Sequence, residues 1–297
     1  MNSKKNIILY NSVKRFRDGF ELGCDNNDIK LTKVRTRYLA IHLKNGSPAR
    51  FIYKNDDLDV DNAFNFIQMR GKEAHIPSLI ALYCEYQGIG FNDVVNTHHT
   101  DNAYKISQMM MLWLSGLPIP ETMILSNFSY EANREYIKDH LQFPLVLKKN
   151  GDRGEEVWKI KNIEELDKRM ILTEIEKKEA IKGKTIDTAI LQQCIPNTHD
   201  FRVTMFEGDV LGVIKRTSQD GFYNNWSKGA LWEPSEISDE EKELSQKACD
   251  ACGVDLGGVD FVRTKDGILF FEVNKTPQIN VNYPEVIVKM LNDSYLV

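Results

Sequence analysis

The sequence predicts a mixed α/β and α+β protein with two or three compact lobes. Its 297 residues are 42% hydrophobic and 27% charged, so the chain is long enough to form more than one substantial core. Short alternating apolar runs, which indicate strands, are interleaved with segments whose apolar residues follow helical spacing. The final third is rich in strand patterns, and the chain contains no internal repeat or low-complexity tract.

The first hundred residues predict an α/β region. "NIILYN" indicates a strand, and "YLAIHLKNGSPARFIY" contains two alternating runs around Asn45-Gly46, which is a hairpin signature. A strand in "FNFIQMRG" is followed by a helix in "PSLIALYCEYQG", with Pro77 near its start and Gly88 past its end. The basic run "KLTKVRTR", residues 30–37, is either a solvated strand face or a docking surface for an acidic leader peptide or substrate tail.

The middle of the chain combines an apolar helix with a strand that ends in lysines. "NAYKISQMMMLWLSG" predicts a helix whose methionines and Trp113 pack in a core. The strand "FPLVLKK" ends with Lys148 beside a turn that contains Gly151 and Gly154. Backbone N–H groups of such a loop can cover nucleotide phosphates, although an ordinary surface hairpin would show the same pattern.

Two arginines occur in apolar strands of the final third. "DFRVTMFEGDVLGVIKR" predicts a hairpin around Gly208-Asp209, and its strands carry Arg202 and Arg216. A guanidinium group needs planar acceptors such as carboxylate or phosphate. The sequence leaves two interpretations open, namely a substrate-binding role or salt bridges to Asp200 or to another carboxylate on the sheet.

The stretch "GGVDFVRTKDGILFFEVNKTP" places acidic and amide side chains in two apolar strands. Its Lys-Asp-Gly turn predicts an antiparallel pair that brings Asp260 near Glu272, and alternation places Glu272 and Asn274 on the same face. Hard cations such as Mg²⁺ prefer oxygen ligands and keep waters and substrate phosphates in their remaining positions. The stretch therefore indicates a magnesium site that a nucleotide would complete, with a solvated sheet face as the alternative.

Composition and charge exclude several classes of protein. A net charge of -5 argues against a general nucleic-acid binder, and no apolar run approaches membrane-spanning length. An odd number of cysteines and the lack of a signal-peptide pattern favour reduced thiols in the cytoplasm. Cys249 and Cys252 have CxxC spacing, but they fall in the last turns of an amphipathic helix that ends at Gly253, and a zinc site would need a second ligand pair.

In this order, the motifs resemble those of ATP-grasp ligases of the RimK type, the glutamate-ligase branch that also resembles several peptide-modifying enzymes. The resemblance extends from about residue 100 onward through "GLPIPET", "FPLVLKKNGDRGEEVW", "LQQCIP", "HDFRV", "GVIKR", "FYNNWSKGA" and "FFEVNKTP". It implies an ATP-grasp fold, in which two α+β lobes clasp ATP, preceded by an N-terminal α/β lobe. The expected domains are 1–101 for the N-terminal lobe, 102–190 for the central lobe and 191–297 for the C-terminal lobe with the metal site.

The resemblance also implies a role for individual residues. The groups expected to bind ATP are the phosphate-binding Lys105 and Lys148, the loop glycines Gly151 and Gly154, and the adenine-binding backbone of Gln193 and Ile195. The expected metal ligands are Asp260, Glu272 and Asn274. The residues expected to hold the reacting acyl-phosphate region are Arg202, Arg216 and Asn225.

The function implied is ATP-dependent ligation of a carboxylate to an amine through an acyl-phosphate, with a peptide or protein as the expected substrate. ATP and two Mg²⁺ ions are the expected cofactors, Mn²⁺ is a possible substitute, and homo-oligomers are common among such ligases. The alternatives are a macrocyclase that makes ester or amide crosslinks, a kinase that phosphorylates a hydroxyl, and a nucleotide-binding module without chemistry. The sequence departs from the family pattern in two segments. The first is the acidic loop "NGDRGEEV", and the second is "KTPQINVNYP" after the metal motif, where the family commonly has Pro-Gly.

Overall fold

The computed structural model of the chain describes residues 5–44, 49–68, 75–98, 105–149, 157–172, 175–177, 188–218, 230–275, 277 and 283–295. Within these ranges the strands form four sheets. Gly151, Gly154 and Asn225 lie outside the described residues. Among the described helices, none is both long and apolar enough to cross a membrane.

The N-terminal lobe contains two small sheets. The first is parallel, in the order β2-β1-β6, with β1 (Asn6–Tyr10), β2 (Lys30–Val34) and β6 (Phe64–Ile67). The second is antiparallel, with β3 (Leu39–His42), β4 (Arg50–Tyr53) and β5 (Asp56–Leu58). Pairing of β3 with β4 confirms the predicted hairpin, whose Asn45-Gly46 turn lies outside the described residues. The helices are α1 (Lys14–Asn26), α2 (His75–Gln87) and α3 (Val95–His98).

The central sheet has the order β7-β10-β8-β9 and is antiparallel in its pairings. Its strands are β7 (Thr122–Ser126), β8 (Leu145–Lys149), β9 (Val157–Ile160) and β10 (Thr188–Gln193). The helices of this region are α4 (Lys105–Leu114), α5 (Asn127–Ala132), α6 (Arg134–His140) and α7 (Ile163–Met170). The expected boundary between residues 190 and 191 falls inside β10, and the division into three domains stays a prediction.

Helix α4 corrects one expectation about core packing. Met109 and Leu112 are buried in the core beneath the C-terminal sheet, as predicted. In contrast, Met110 is 47% exposed and Trp113 is 63% exposed, so assigning them to the core was wrong. Six consecutive apolar residues wrap around the whole circumference of a helix, and a single packed face cannot bury all of them.

The C-terminal sheet has five strands in the order β13-β12-β11-β14-β15. They are β11 (His199–Phe206), β12 (Asp209–Thr217), β13 (Leu231–Pro234), β14 (Leu256–Thr264) and β15 (Gly267–Asn274). Helix α8 (Asp239–Cys252) packs on this sheet, and α9 (Tyr283–Ser294) packs against α1. A capping box between Ser238 and Glu241 begins α8, and Gly253 ends it with a φ of 62°.

The cysteines confirm the interpretation of the CxxC spacing. Cys249 and Cys252 are buried on the inner face of α8, and all five cysteines of the chain are free thiols. Burial raises the pKa of Cys252 to about 12, because a thiolate is poorly solvated there. These two thiols therefore act as small apolar side chains in the core.

Two aspartates join the N-terminal lobe to the C-terminal sheet. Asp93 Oδ1 accepts hydrogen bonds from the backbone N–H groups of Asp255 and Leu256, at 2.8 and 3.1 Å. In return, Asp255 Oδ2 accepts from the backbone N–H of Asp93 at 2.7 Å. Burial and the nearby charge of Asp255 raise the pKa of Asp93 to about 8. We call this reciprocal pair the Asp93–Asp255 clamp.

Candidate active site

Two arginines and two aspartates form a buried network on three neighbouring strands of the C-terminal sheet. Asp200 and Arg202 lie on β11, Arg216 lies on β12 and Asp260 lies on β14. The strand register places Arg202 opposite Asp260 and Asp200 opposite Arg216. Cross-strand partners point to the same face of a sheet, so their side chains meet directly.

Each arginine binds an aspartate through two parallel hydrogen bonds. Arg202 donates from Nε and Nη2 to the two carboxylate oxygens of Asp260, at 2.7 and 2.6 Å. Arg216 donates in the same way to Asp200, at 2.7 and 2.8 Å. A further contact of 3.0 Å joins Arg216 Nη2 to Asp260 Oδ2, which links the two pairs into one network. The ion pairing that the sequence left open as an alternative is therefore present for both arginines.

The charged side chains of this network are largely buried. The side chains of Arg216, Asp260 and Asp200 are only 3, 6 and 7% exposed. Burial by itself raises the pKa of Asp260, but Arg202 and Arg216 more than offset that effect and hold the pKa below its usual range. Removing one partner from such a set would leave an uncompensated buried charge, which is strongly destabilising.

Glu272 and Asn274 extend the network along β15. Asp260 pairs with Glu272 in the antiparallel register of β14 and β15, so the predicted approach of these two residues is confirmed. With its carbonyl oxygen toward Arg202, Asn274 accepts from Arg202 Nη2 and donates to Glu272 Oε1, each at 2.9 Å. The two carboxylates and the amide oxygen thus converge on one face of the sheet.

The donor chemistry of this face fits Mg²⁺. Two carboxylates and an amide oxygen are hard ligands, and such a partial set leaves room for waters and phosphate oxygens. Among the described residues, no three His, Cys, Asp or Glu side chains cluster in a way that could hold a metal by themselves. In the arrangement shown, Arg202 supplies positive charge at Asp260, and the carboxylate keeps further lone pairs that could face a cation.

Lys148 lies at the end of β8, close to the same face. Its Nζ donates to Gln192 Oε1 at 2.6 Å and lies 5.3 Å from the centre of the Phe271 ring. Burial lowers the pKa of Lys148 to about 8, the charge of Lys105 adds to this shift, and the charge of Glu272 opposes it. Lys148 therefore lies near Lys105 and near the acidic residues of the C-terminal sheet.

The segment after β10 carries the expected adenine-binding backbone. The N–H of Gln193 donates to the carbonyl of Glu121 at 2.8 Å, so an adenine contact at Gln193 would use its carbonyl group. Ile195 is half-buried two residues further along. The roles of these residues, and of the loop glycines and Asn225, stay predictions.

Sequence reasoning gave Gln192 no role and treated Asp200 only as an alternative ion-pair partner. Gln192 is buried, accepts from Lys148, and donates to Thr122 Oγ1 at 3.0 Å. A polar residue at the end of the apolar run "TAILQQ" is the signal that could have found it. For Asp200, the signal is its i, i+2 spacing from Arg202, which places both side chains on one face.

Residues 100–290 match the family described as the RimK-like ATP-grasp domain. This match covers more than half of the chain, and the chain belongs to that family. Its extent agrees with the resemblance noted from about residue 100 onward.

Curated relatives have names that describe glutamate ligases. A probable alpha-L-glutamate ligase of Haemophilus influenzae is 29% identical over 182 residues, which cover 60% of this chain and 57% of that protein. The coenzyme gamma-F420-2:alpha-L-glutamate ligase of Methanocaldococcus jannaschii is 27% identical over 195 residues, with coverages of 65% and 64%. The matched region thus spans less than two thirds of the length of either relative.

Solved structures of ATP-grasp ligases share the fold over almost the whole chain. The ligase PsnB complexed with a minimal precursor gives a TM-score of 0.70 at 15% identity and covers 97% of this chain and 98% of that one. The macrocyclase MdnB of Microcystis aeruginosa gives 0.67 at 16% identity, with coverages of 97% and 99%. The predicted ATP-grasp fold is therefore confirmed, including the N-terminal lobe that sequence motifs did not identify.

Proposed function

We propose that the protein is an ATP-dependent carboxylate–amine ligase that forms an amide bond through an acyl-phosphate and releases ADP and phosphate. The observation that carries this proposal is the buried network of Arg202, Arg216 and Asp260 beside Glu272 and Asn274. Two guanidinium groups beside an oxygen-rich face suit a reaction in which a carboxylate and a phosphoryl group meet. The names of the relatives as glutamate ligases support the same reaction.

Each set of residues has a distinct role in this proposal. Lys105 and Lys148 bind the phosphates of ATP, while the backbone near Gln193 and Ile195 binds adenine. Asp260, Glu272 and Asn274 hold magnesium, with two ions expected and Mn²⁺ as a substitute. Bound magnesium would neutralise phosphate charge as ADP leaves.

The arginines act on the acid substrate. Arg202 and Arg216 bind the aspartates through Nε and Nη2, and their remaining N–H groups hold the substrate carboxylate while one of its oxygens attacks the γ-phosphorus and the bond to ADP breaks. The amine then attacks the activated carbonyl, and phosphate leaves. Hydrogen bonds from the guanidinium groups stabilise the oxyanion that develops between these two events. Asn225 is assigned to the same region, and the loop that contains Gly151 and Gly154 is assigned to covering the phosphates.

A peptide or protein is the proposed substrate. Support comes from the fold shared with a Chryseobacterium gregarium ligase solved with ADP and a leader and core peptide, at a TM-score of 0.66 and 16% identity. If the acid and the acceptor belong to one peptide, the enzyme is a macrocyclase that makes side-chain crosslinks. The Microcystis aeruginosa protein is named a macrocyclase. A homo-oligomer is proposed as its assembly.

Trapping of the acyl-phosphate tests the reaction. With the acid substrate and ATP but no amine, hydroxylamine should form a hydroxamate, and oxygen-18 in the acid carboxylate should appear in released phosphate. Glu272→Gln should suppress both signals, because a neutral amide is a poorer magnesium ligand. Arg216→Lys should lose most activity, because an ammonium group cannot reproduce the bidentate hydrogen bonds of a guanidinium group. Arg263→Lys is the matched control, since Arg263 lies on the same sheet but donates two parallel hydrogen bonds to Glu241, outside the proposed site.

The outcome that contradicts the ligase is equally specific. If the label stayed in an organic product that is a stable phosphate ester, the protein would be a kinase of the same fold. ATP binding without turnover of any acid or hydroxyl substrate would instead indicate a nucleotide-binding module without chemistry.

A further inference from the structure

A crevice of about 350 Å³ lies in the N-terminal lobe, on residues that the proposed reaction does not use. Its walls come from the carboxyl ends of the parallel strands β1 and β2, from the first turns of α1 and from Tyr53 of β4. This volume suits a ligand the size of an amino acid. Lys33 and Arg35 of the basic run 30–37 line the crevice, so this part of the run is not simply a solvated strand face.

Three of the side chains that line the crevice are hydrogen-bond donors with no acceptor among the described residues. Arg35 is half-buried, and its guanidinium forms no ion pair or hydrogen bond within the described part of the chain. Ser12 is only 4% exposed, and its hydroxyl likewise makes no hydrogen bond to any described residue. Tyr53 Oη accepts from the backbone N–H of Arg35 at 3.4 Å, which leaves its own hydrogen able to donate. A guanidinium and two hydroxyls thus line one small space, and none of them has an acceptor within the described ranges.

The charges around the crevice define the ligand that it suits. Arg17, Lys33 and Arg35 supply three positive charges, and Asp18 and Glu21 supply two negative ones. Lys33 already pairs with Glu21 at 2.7 Å, whereas Arg17 and Asp18 approach only to 4.0 Å. The net charge of +1 matches a single carboxylate and disfavours a phosphate, whose charge at neutral pH is larger. Helix α1, which has no side-chain cap and no acidic residue in its first turn, adds positive potential.

We propose that this crevice binds one carboxylate of an amino-acid-sized unit, either a free acid or a residue of a peptide, through Arg35, Ser12 and Tyr53. The site is separate from Arg202 and Arg216, so it holds a group that does not react. Its use for docking a substrate rests on the proposed ligase function, but binding itself can be measured without ATP or turnover.

Calorimetry with defined probes tests the site. N-acetylglutamate α-amide represents the free acid with one carboxylate, and acetyl-Gly-Glu-Gly-amide represents a peptide residue. The corresponding glutamine probes, N-acetylglutamine amide and acetyl-Gly-Gln-Gly-amide, have no carboxylate. Arg35→Gln should weaken binding of at least one acidic probe by about tenfold or more, because a charge-assisted hydrogen bond is lost. Arg37→Gln is the matched control, since Arg37 is exposed and stacks 5.0 Å from the Tyr38 ring outside the crevice. Thermal melts establish whether each variant is folded.

Further variants locate the binding and separate the two proposals. Arg202→Lys, which keeps a positive charge beside Asp260, should leave the Arg35-dependent binding intact, and Ser12→Asp should abolish it by adding a negative charge inside the crevice. Binding of the peptide alone identifies a peptide residue as the ligand, and binding of both acidic probes identifies a general carboxylate site. Equal affinity in wild type, Arg35→Gln and Arg37→Gln, tight binding of the glutamine probes, or no binding of either acidic probe overturns the proposal. Failure of the ligase would show instead as absence of hydroxamate, which this experiment does not measure.

Discussion

Replacement of Lys148 by methionine should make the ligand-free protein more stable while weakening its affinity for ATP. In the free protein, burial lowers the pKa of this lysine from 10.5 to about 8. At about 1.4 kcal/mol for each pKa unit, keeping the ammonium charged inside the folded protein costs about 3 kcal/mol. Methionine has a similar shape and removes that cost.

The lost hydrogen bond reduces this gain. Lys148 donates to the buried Gln192, and leaving that acceptor without a donor costs about 1–2 kcal/mol. The expected net stabilisation is therefore about 1–2 kcal/mol at about pH 7. Phosphate would favour the charged lysine, so the same substitution should weaken ATP binding by about tenfold or more.

The dependence on pH identifies the cause. Below the folded pKa of about 8 the lysine is charged in both the folded and the unfolded state, so the cost is fully present. As pH rises above that value the folded lysine loses its proton first, and the cost shrinks by about 1.4 kcal/mol for each pH unit. The advantage of Lys148→Met should therefore disappear by about pH 9.5.

Urea denaturation without nucleotide measures this difference. The free energy of unfolding of wild type and Lys148→Met would be compared from about pH 7 to about pH 9.5. The comparison requires that the m-value, the slope of this free energy against urea concentration, stays constant. Lys168→Met, which removes an exposed lysine from α7, sets the baseline for loss of a surface charge. A stability difference that does not change with pH would show that the lysine is not held at a cost, and the reasoning would be refuted.

Three further predictions follow from the site and its supports. ATP should raise the melting temperature far more in magnesium than in EDTA, because the oxygen ligands hold the ion mainly through phosphates; equal shifts would remove the metal assignment. Gly257→Ala should lower the free energy of unfolding by about 1–3 kcal/mol, because its Cβ would lie 2.6 Å from Cys249 Sγ; unchanged urea midpoints would contradict this packing. Asp255→Asn should stabilise the fold by about 1 kcal/mol more at about pH 9 than at about pH 6, because Asp93 ionises only near pH 8 and is then repelled by Asp255. A difference in unfolding free energy that stays flat over this range would show that the two aspartates do not repel each other.

Local patterns were enough to predict the hairpin that positions the oxygen ligands. The tight turn before β15 fixes its pairing with β14, so the approach of Asp260 and Glu272 could be derived from alternation alone. Arg202 is different, because it meets Asp260, 58 residues away in the sequence, only through the pairing of β11 with β14. Nothing in a local pattern specifies that pairing, and the sequence therefore left the partner of Arg202 open.

Burial was harder to predict than secondary structure. The sequence places Lys148 correctly at the end of a strand, but its lowered pKa depends on burial and on the charges of Glu272 and Lys105, which come from other segments. Likewise, Trp113 fits a core helix by composition but faces outward, since the packed side of α4 is set by the C-terminal sheet. The crevice in the N-terminal lobe combines residues from three separate segments, which no motif connects.

The Asp93–Asp255 clamp bears on how this chain can be recombined with its relatives. Each aspartate receives the backbone N–H of the other, so a chimera that exchanged one lobe alone would leave a buried carboxylate facing a surface not shaped for it. In contrast, the central sheet is continuous in sequence between the two clamped parts, from β7 to β10. In a chimera, the central lobe is therefore the part to exchange by itself, and the N- and C-terminal lobes should be taken from the same protein.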